Sequence, residues 1–89
     1  MVVQEAAGYH NMTSSANVSA VPANLIGIFC STTSSGTVTV YDDAATGTGT
    51  PVTGAITLTA GTWYKIPAGC SKGIYVAIAN TANVTVFYA

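Results

Sequence analysis

The chain has 89 residues, enough for one domain with one core but too few for a large enclosed active site. Two lysines oppose three acidic residues, so 6% of the residues are charged and the formal net charge is −1. Soluble domains carry about 25% charged residues. Two cations are too few for nucleic-acid binding by phosphate neutralisation or for polybasic attachment to a membrane.

The N-terminal residues predict the cellular compartment of the chain, and with it the state of the cysteines. The first residues, MVVQE, lack the basic region and the continuous apolar core of a secretory signal, and no apolar run approaches the roughly 20 residues of a membrane-spanning helix. We therefore expect Cys30 and Cys70 to be free thiols, because reducing compartments seldom keep structural disulfides. One disulfide between them is the alternative.

The first 23 residues differ in composition and periodicity from the rest of the chain. They are small and polar, with neither helical nor strand periodicity, and include Ser14, Ser15, Asn17 and Pro22. We predict that residues 1–23 form an extended N-terminal arm and that residues 24–89 form a single β-domain.

From residue 24 onward, strand signals alternate with turn residues. Residues 25–32 are largely apolar, which favours a central strand covered on both faces. Ser34-Ser35-Gly36 then predicts a turn, as do residues 80–83. The predicted strands, in chain order, span residues 25–32, 37–41, 55–59, 62–66, 74–79 and 84–88.

This spacing defines the fold class. Six strands in about 65 residues, with turn signals every 8 to 12, are typical of a β-sandwich or a small barrel. No window of 11 or more residues shows helical spacing. We predict an all-β fold: a single small antiparallel β-sandwich or jelly-roll-like barrel of about six to eight short strands.

The sequence contains no pattern typical of an active site. His10 is the only histidine and lies in the predicted arm, where a catalytic base would not be held in place. His10, Cys30 and Cys70 lack the spacing of a zinc site. Asp42 and Asp43 are interpreted as a solvated turn, with a calcium site as the alternative. We predict a protein that is not an enzyme and has no cofactor or metal.

Trp63 and Lys65 lie on the same face of their predicted strand, opposite Tyr64 and Ile66. If Lys65 faces water, Trp63 does too unless another molecule covers it. Aromatic residues are enriched at the centres of protein interfaces, which favours a subunit contact at Trp63. A core Trp63 beside a Lys65 that extends its charged end to water is the alternative.

The low charge also bears on association. Mixed surface charge normally opposes association, and this chain has little of it. Short strands leave exposed edges, with only two lysines to protect them. We therefore predict a homo-oligomer that docks on a larger scaffold.

The order and texture of the strands resemble those of small capsid decoration (cement) proteins of tailed bacteriophages. The resemblance is carried by residues 36–42 (GTVTVYD), 54–58 (GAITL), 61–64 (GTWY), 73–76 (GIYV) and 84–88 (VTVFY). It implies a β-sandwich or jelly-roll-like knob, usually trimeric, that binds the major capsid protein on the outer surface of the virion and stabilises the shell. It implies no catalytic residues.

Five residues are the candidate partner interface. Tyr9, His10 and Met12 lie in the predicted arm, which we expect to reach a neighbouring subunit, and Trp63 and Lys65 lie on the predicted contact face. The alternative function is a recognition module of a phage, either a tail-fibre or a carbohydrate-binding domain. In that case Trp63 or Tyr64 stacks on a sugar and the loop of residues 42–51 supplies hydrogen bonds.

Overall fold

A computed structural model of the chain describes residues 8–45 and 49–89. This part of the chain contains β-strands and no helix, so the predicted all-β class is confirmed. The strands are β1 (Gly8–Met12), β2 (Ala16–Ser19), β3 (Ala23–Asp42), β4 (Thr50–Pro51), β5 (Ile56–Thr57), β6 (Thr62–Cys70) and β7 (Ile74–Tyr88). All of their pairings are antiparallel.

Two long strands form the centre of the fold. β3 has 20 residues and β7 has 15, and they pair with each other from Leu25↔Tyr88 to Tyr41↔Tyr75. The sequence predicted four short strands in these two regions, separated by turns. The turns are instead bends within two continuous strands.

The two bends lie at the same level of the β3–β7 ladder, which explains why the strands stay paired. Ser35 and Asn80 both adopt positive φ, at 56° and 65°, and Ser35 pairs with Thr81, the neighbour of Asn80. The Asn80 side-chain amide donates a hydrogen bond to the Ser35 carbonyl at 2.8 Å. Both strands therefore change direction together.

The bend divides the sheet into two leaves. The first leaf contains β1, the C-terminal half of β7, the N-terminal half of β3, and β6. The second leaf contains β2, the other halves of β7 and β3, and the short β4 and β5. Buried side chains from both leaves form one cluster, so the leaves pack together as a sandwich. The cluster consists of Met12, Leu25, Ile28, Cys30, Val38, Val40, Leu58, Cys70, Ile74, Val76, Ala82, Val84 and Val86.

Part of the predicted N-terminal arm is built into this sandwich. The chain is extended in β1 and β2, but both strands pair with β7 instead of standing apart from the domain. Met12 is 5% exposed and belongs to the core. Its apolar side chain fills the space beside Val84, its partner in β7. Residues 1–7 of the predicted arm lie outside the described residues.

Gly36 follows Ser35 in the bend and is closely surrounded, which leads to a stability prediction. A Cβ atom there would lie 2.6 to 2.8 Å from Thr33 Oγ1, the Thr81 carbonyl oxygen and the Ala82 Cβ. Because backbone and core atoms cannot move aside freely, Gly36→Ala should lower the free energy of unfolding by about 1–3 kcal/mol. Urea denaturation followed by circular dichroism measures this value.

Gly54→Ala is the matched control, because nothing lies within 4 Å of a Cβ at Gly54. Its free energy of unfolding should stay within about 1 kcal/mol of the wild-type value. Equal stability of the two variants would contradict the close packing around Gly36.

Candidate functional site

The outward surface of the first leaf carries most of the exposed aromatic side chains. In β6, Trp63 and Lys65 are exposed while Tyr64 and Ile66 are half-buried, so the predicted sharing of a face by Trp63 and Lys65 is confirmed. The strand register aligns the outward residues in two rows. One row contains Tyr9, Phe87, Gly27 and Lys65, and the other contains Asn11, Thr85, Phe29 and Trp63.

The position of Trp63 depends on a glycine in the neighbouring strand. A Cβ atom at Gly27 would lie 2.7 Å from the indole ring of Trp63. Because glycine has no side chain, the indole lies across β3 and reaches Phe87 of β7. The two rings meet edge to face, with centroids 5.6 Å apart and an interplanar angle of 66°. Such a pair contributes about 0.5–1.5 kcal/mol beyond its buried area, which favours this orientation of Trp63.

An open groove of about 430 Å³ lies beside this pair and is lined by Ile26, Phe29, Trp63 and Phe87. A β-bulge between Leu25 and Gly27 breaks the alternation of β3 and accounts for Ile26 lying on the same side as Phe29. Trp63 is 45% exposed, Phe29 36% and the adjacent Tyr9 70%. The outward side chains of Tyr9, Ile26, Phe29, Trp63 and Phe87 are called the aromatic face below.

Polar side chains form one margin of the aromatic face. The Asn11 amide nitrogen donates to Asn83 Oδ1 at 2.8 Å, and to the Val84 carbonyl oxygen and Thr85 Oγ1 at 3.1 Å each. These contacts occupy the donors of Asn11 within the protein. The margin is therefore ordered, and its amide hydrogens are not free to bind a ligand.

The structure separates the five residues predicted to form the partner interface. Tyr9, Trp63 and Lys65 lie on the outward side of the first leaf. His10 and Met12 alternate with Tyr9 along β1 and lie on the core side, where His10 is half-buried and Met12 is buried. The prediction for Met12 as a surface contact is therefore wrong. The alternative of a core Trp63 is also wrong, because its side chain lies outside the core cluster.

Among the described residues, the arrangement predicted for a sugar site is formed only in part: Trp63 is exposed, but Tyr64 is not available for stacking. Tyr64 turns inward, and its hydroxyl accepts a hydrogen bond from the Thr59 amide at 2.7 Å. Within the described residues, no member of the 42–51 segment lines the groove beside Trp63. Asp42 instead binds the turn between β6 and β7.

Asp42 anchors that turn with both carboxylate oxygens. They accept hydrogen bonds from the Ser71 amide and hydroxyl at 3.1 Å, the Lys72 amide at 2.8 Å and the Gly73 amide at 3.3 Å. These hydrogen bonds lower the pKa of Asp42, and the bond from the Lys72 amide has the largest effect. Residues 8–45 and 49–89 contain no group of three or more His, Cys, Asp or Glu residues placed to hold a metal ion.

The two cysteines are free and buried, which confirms the expected thiols. Cys30 pairs with Thr62 and Cys70 pairs with Ala23, at opposite ends of the β3–β6 ladder. At about 3.3 Å per residue, the two thiols are roughly 23 Å apart along β3 and cannot form a disulfide with each other. Burial raises the pKa of both thiols, and the Asp42 charge raises that of Cys70 further.

The chain matches no family model, no curated protein and no solved structure. No helix long and apolar enough to cross a membrane is found in the described residues. The aromatic face is therefore the feature on which a functional proposal rests. Sequence reasoning missed four of its contributors, Ile26, Gly27, Phe29 and Phe87. Gly27 was the available signal, because a glycine inside an apolar strand often marks close approach of another group.

The Asp42 contacts lead to a pH prediction. A lowered folded-state pKa means that the carboxylate stabilises the fold above its unfolded pKa of about 3.9, and that this contribution is lost as the pH falls through the folded pKa. Asp42→Asn should therefore melt at a lower temperature than the wild type at pH 7, with a smaller difference at pH 2. Thermal unfolding followed by circular dichroism tests this, and an equal difference at both pH values would contradict it.

Proposed function

We propose that this protein is a non-catalytic structural protein of a bacteriophage particle. It binds the outer surface of the assembled capsid as a homo-oligomer and stabilises the shell. The observation that supports the proposal is the aromatic face, with Trp63 at 45% and Tyr9 at 70% exposure on a domain with few charges. Its bacteriophage context comes from the resemblance of the strand sequences to decoration proteins.

The aromatic face has the properties of an interface centre. Tryptophan and tyrosine contribute disproportionately to binding when a partner covers them. Because Trp63 already packs across Gly27 against Phe87, it loses less side-chain freedom on docking than an unsupported side chain would. β6 contains one charged residue, Lys65, next to the aromatic face. A partner that covers this face therefore removes little charge from water.

The chemistry of the groove favours a protein partner over a sugar. All four lining side chains are apolar, which suits apolar side chains of a docked protein. A sugar needs hydrogen-bonding groups next to the aromatic ring, and the nearby Asn11 amide already donates to Asn83, Val84 and Thr85. The carbohydrate-binding alternative therefore has less support.

Stabilisation of a shell follows from binding linkage. A protein that binds only the assembled shell shifts the equilibrium toward assembly by RT ln(1 + [L]/Kd) at each site. An oligomer with several identical faces binds more tightly than one face alone, since the later contacts are intramolecular. No catalytic group is required for this function.

The test is the occupancy of purified phage particles. Trp63→Ala should reduce the affinity for the capsid by about 30-fold or more, the effect of a contact worth about 2 kcal/mol, because it removes the centre of the aromatic face. The fold should persist, since Trp63 lies outside the core cluster. Co-sedimentation of the purified variant with capsids that lack the wild-type protein measures the affinity.

Tyr75→Ala is the matched control. Tyr75 lies on the outward side of the second leaf, in an edge-to-face pair with Tyr41 at 6.4 Å, and its loss should leave capsid binding unchanged. Equal binding by Trp63→Ala and wild-type protein would contradict docking through the aromatic face. Specific binding of the wild-type protein on a glycan array, without capsid binding, would favour the recognition module.

A further inference from the structure

β1 is the edge strand of the first leaf. The backbone groups on its unpaired edge, which are called outward backbone groups here, can be assigned. The Ala89 amide and carbonyl both pair with Asn24 of β3, at 2.8 and 2.9 Å. The peptide groups of successive strand residues point alternately to the two neighbouring strands. Since the groups of Ala89 point to β3, those of the even-numbered residues in this half of β7 point to β1. Those residues pair with Gly8, His10 and Met12. The peptide N–H and C=O groups of Tyr9 and Asn11 therefore point away from the sheet.

The Asn11 side chain supports this assignment. Its amide donates to the Val84 carbonyl oxygen at 3.1 Å, which requires that carbonyl to point toward β1. Val84 is an even-numbered residue of the half of β7 that pairs with β1. Two independent contacts thus give the same alternation.

β1 is also the least protected edge of the described sheet. Edge strands are normally blocked by proline, by charge, by a bulge or by being very short. β6 carries Lys65, Pro67 and a register irregularity. β4 contains Pro51, β4 and β5 have two residues each, and β2 has a bulge. β1 keeps five residues in regular register, without proline, acidic residue, lysine or bulge.

We propose that β1 pairs antiparallel with β1 of a second copy of this chain, across a two-fold axis at His10. In this register Tyr9 lies opposite Asn11 of the partner subunit, and Asn11 lies opposite Tyr9 of the partner subunit. All four outward backbone groups of each copy are then hydrogen-bonded. The inference rests on the homo-oligomer in the proposed function and specifies its contact.

A second copy fits this edge better than another edge of the same protein. A ring or a trimer joins two different surfaces of the chain, and the other edges of the described sheet are blocked as above. A two-fold contact uses the open edge of β1 twice. It places no lysine or acidic residue of β1 against a like charge, since β1 contains neither. The product is a dimer, in contrast to the trimer that the resemblance implies.

Dimer formation also extends the site. Tyr9 pairs with Phe87 at the β1 side of the aromatic face, so the aromatic faces of the two copies become parts of one continuous sheet surface. The 70% exposed ring of Tyr9 lies at the junction. The dimer therefore presents two Trp63–Phe87 pairs on the same side to one partner.

Cysteine cross-linking tests the register. His10 lies opposite His10 of the partner subunit in a non-hydrogen-bonded pair, with Cα atoms about 4.5 Å apart, within disulfide range. His10→Cys should form a covalent dimer under mild oxidation, read on a non-reducing gel. Tyr9→Cys is the control, because diagonal neighbours are about 7–8 Å apart and outside that range. Native Cys30 and Cys70 are buried and should not react.

Sedimentation velocity provides a second, independent test. Tyr9→Pro removes an outward N–H without removing a β1–β7 hydrogen bond, whereas Tyr9→Val keeps that N–H. The dimer dissociation constant of Tyr9→Pro should be at least tenfold higher than that of Tyr9→Val. Circular dichroism confirms that both variants are folded.

The possible outcomes separate this inference from the proposed function. A monomeric or trimeric wild-type protein, equal dimerisation by Tyr9→Pro and Tyr9→Val, or equal cross-linking at positions 9 and 10 would overturn the β1 contact. Trp63→Ala should still dimerise while binding capsids weakly. A wild-type dimer that cross-links through His10→Cys but does not bind capsids would support the β1 contact and contradict the capsid role.

Discussion

The continuous antiparallel pairing of β3 with β7 is the constraint on which the rest of the structure depends. Each of the other described strands pairs with one of these two: β1 and β2 with β7, and β4, β5 and β6 with β3. The ladder bends where Ser35 and Asn80 both adopt positive φ. Because the partners bend together, one sheet supplies both leaves of the sandwich and encloses a single core.

This architecture links the backbone to the surface available for binding. Gly27 lies in the central strand of the first leaf and leaves the space across which Trp63 reaches Phe87. The bulge next to it adds Ile26 to the same side. The aromatic face is therefore a consequence of one missing side chain and one extra residue in β3. Docking on such a surface needs complementary apolar shape more than charge, in keeping with a chain that has five charged residues.

Local patterns predicted the sides of the strands better than their connections. The alternation of Trp63 and Lys65 with Tyr64 and Ile66 was visible in the sequence, because side chains in a strand have a period of two. The turn signal at Ser34-Ser35-Gly36 correctly marked a change of direction. It did not reveal that β3 stays paired through the bend, since that depends on Asn80, 45 residues later. Met12 appeared exposed for a similar reason: its cover comes from distant strands.

Residue choice alone determined the all-β class and the scarcity of charge, because propensity and composition are properties of short segments. The incorporation of β1 into the sheet, the separation of His10 and Met12 from Trp63, and the open edge at Tyr9 and Asn11 were decided by the folded chain. Each depends on which strands lie side by side, and strand neighbours are chosen by long-range pairing and core packing, which no local window of residues contains.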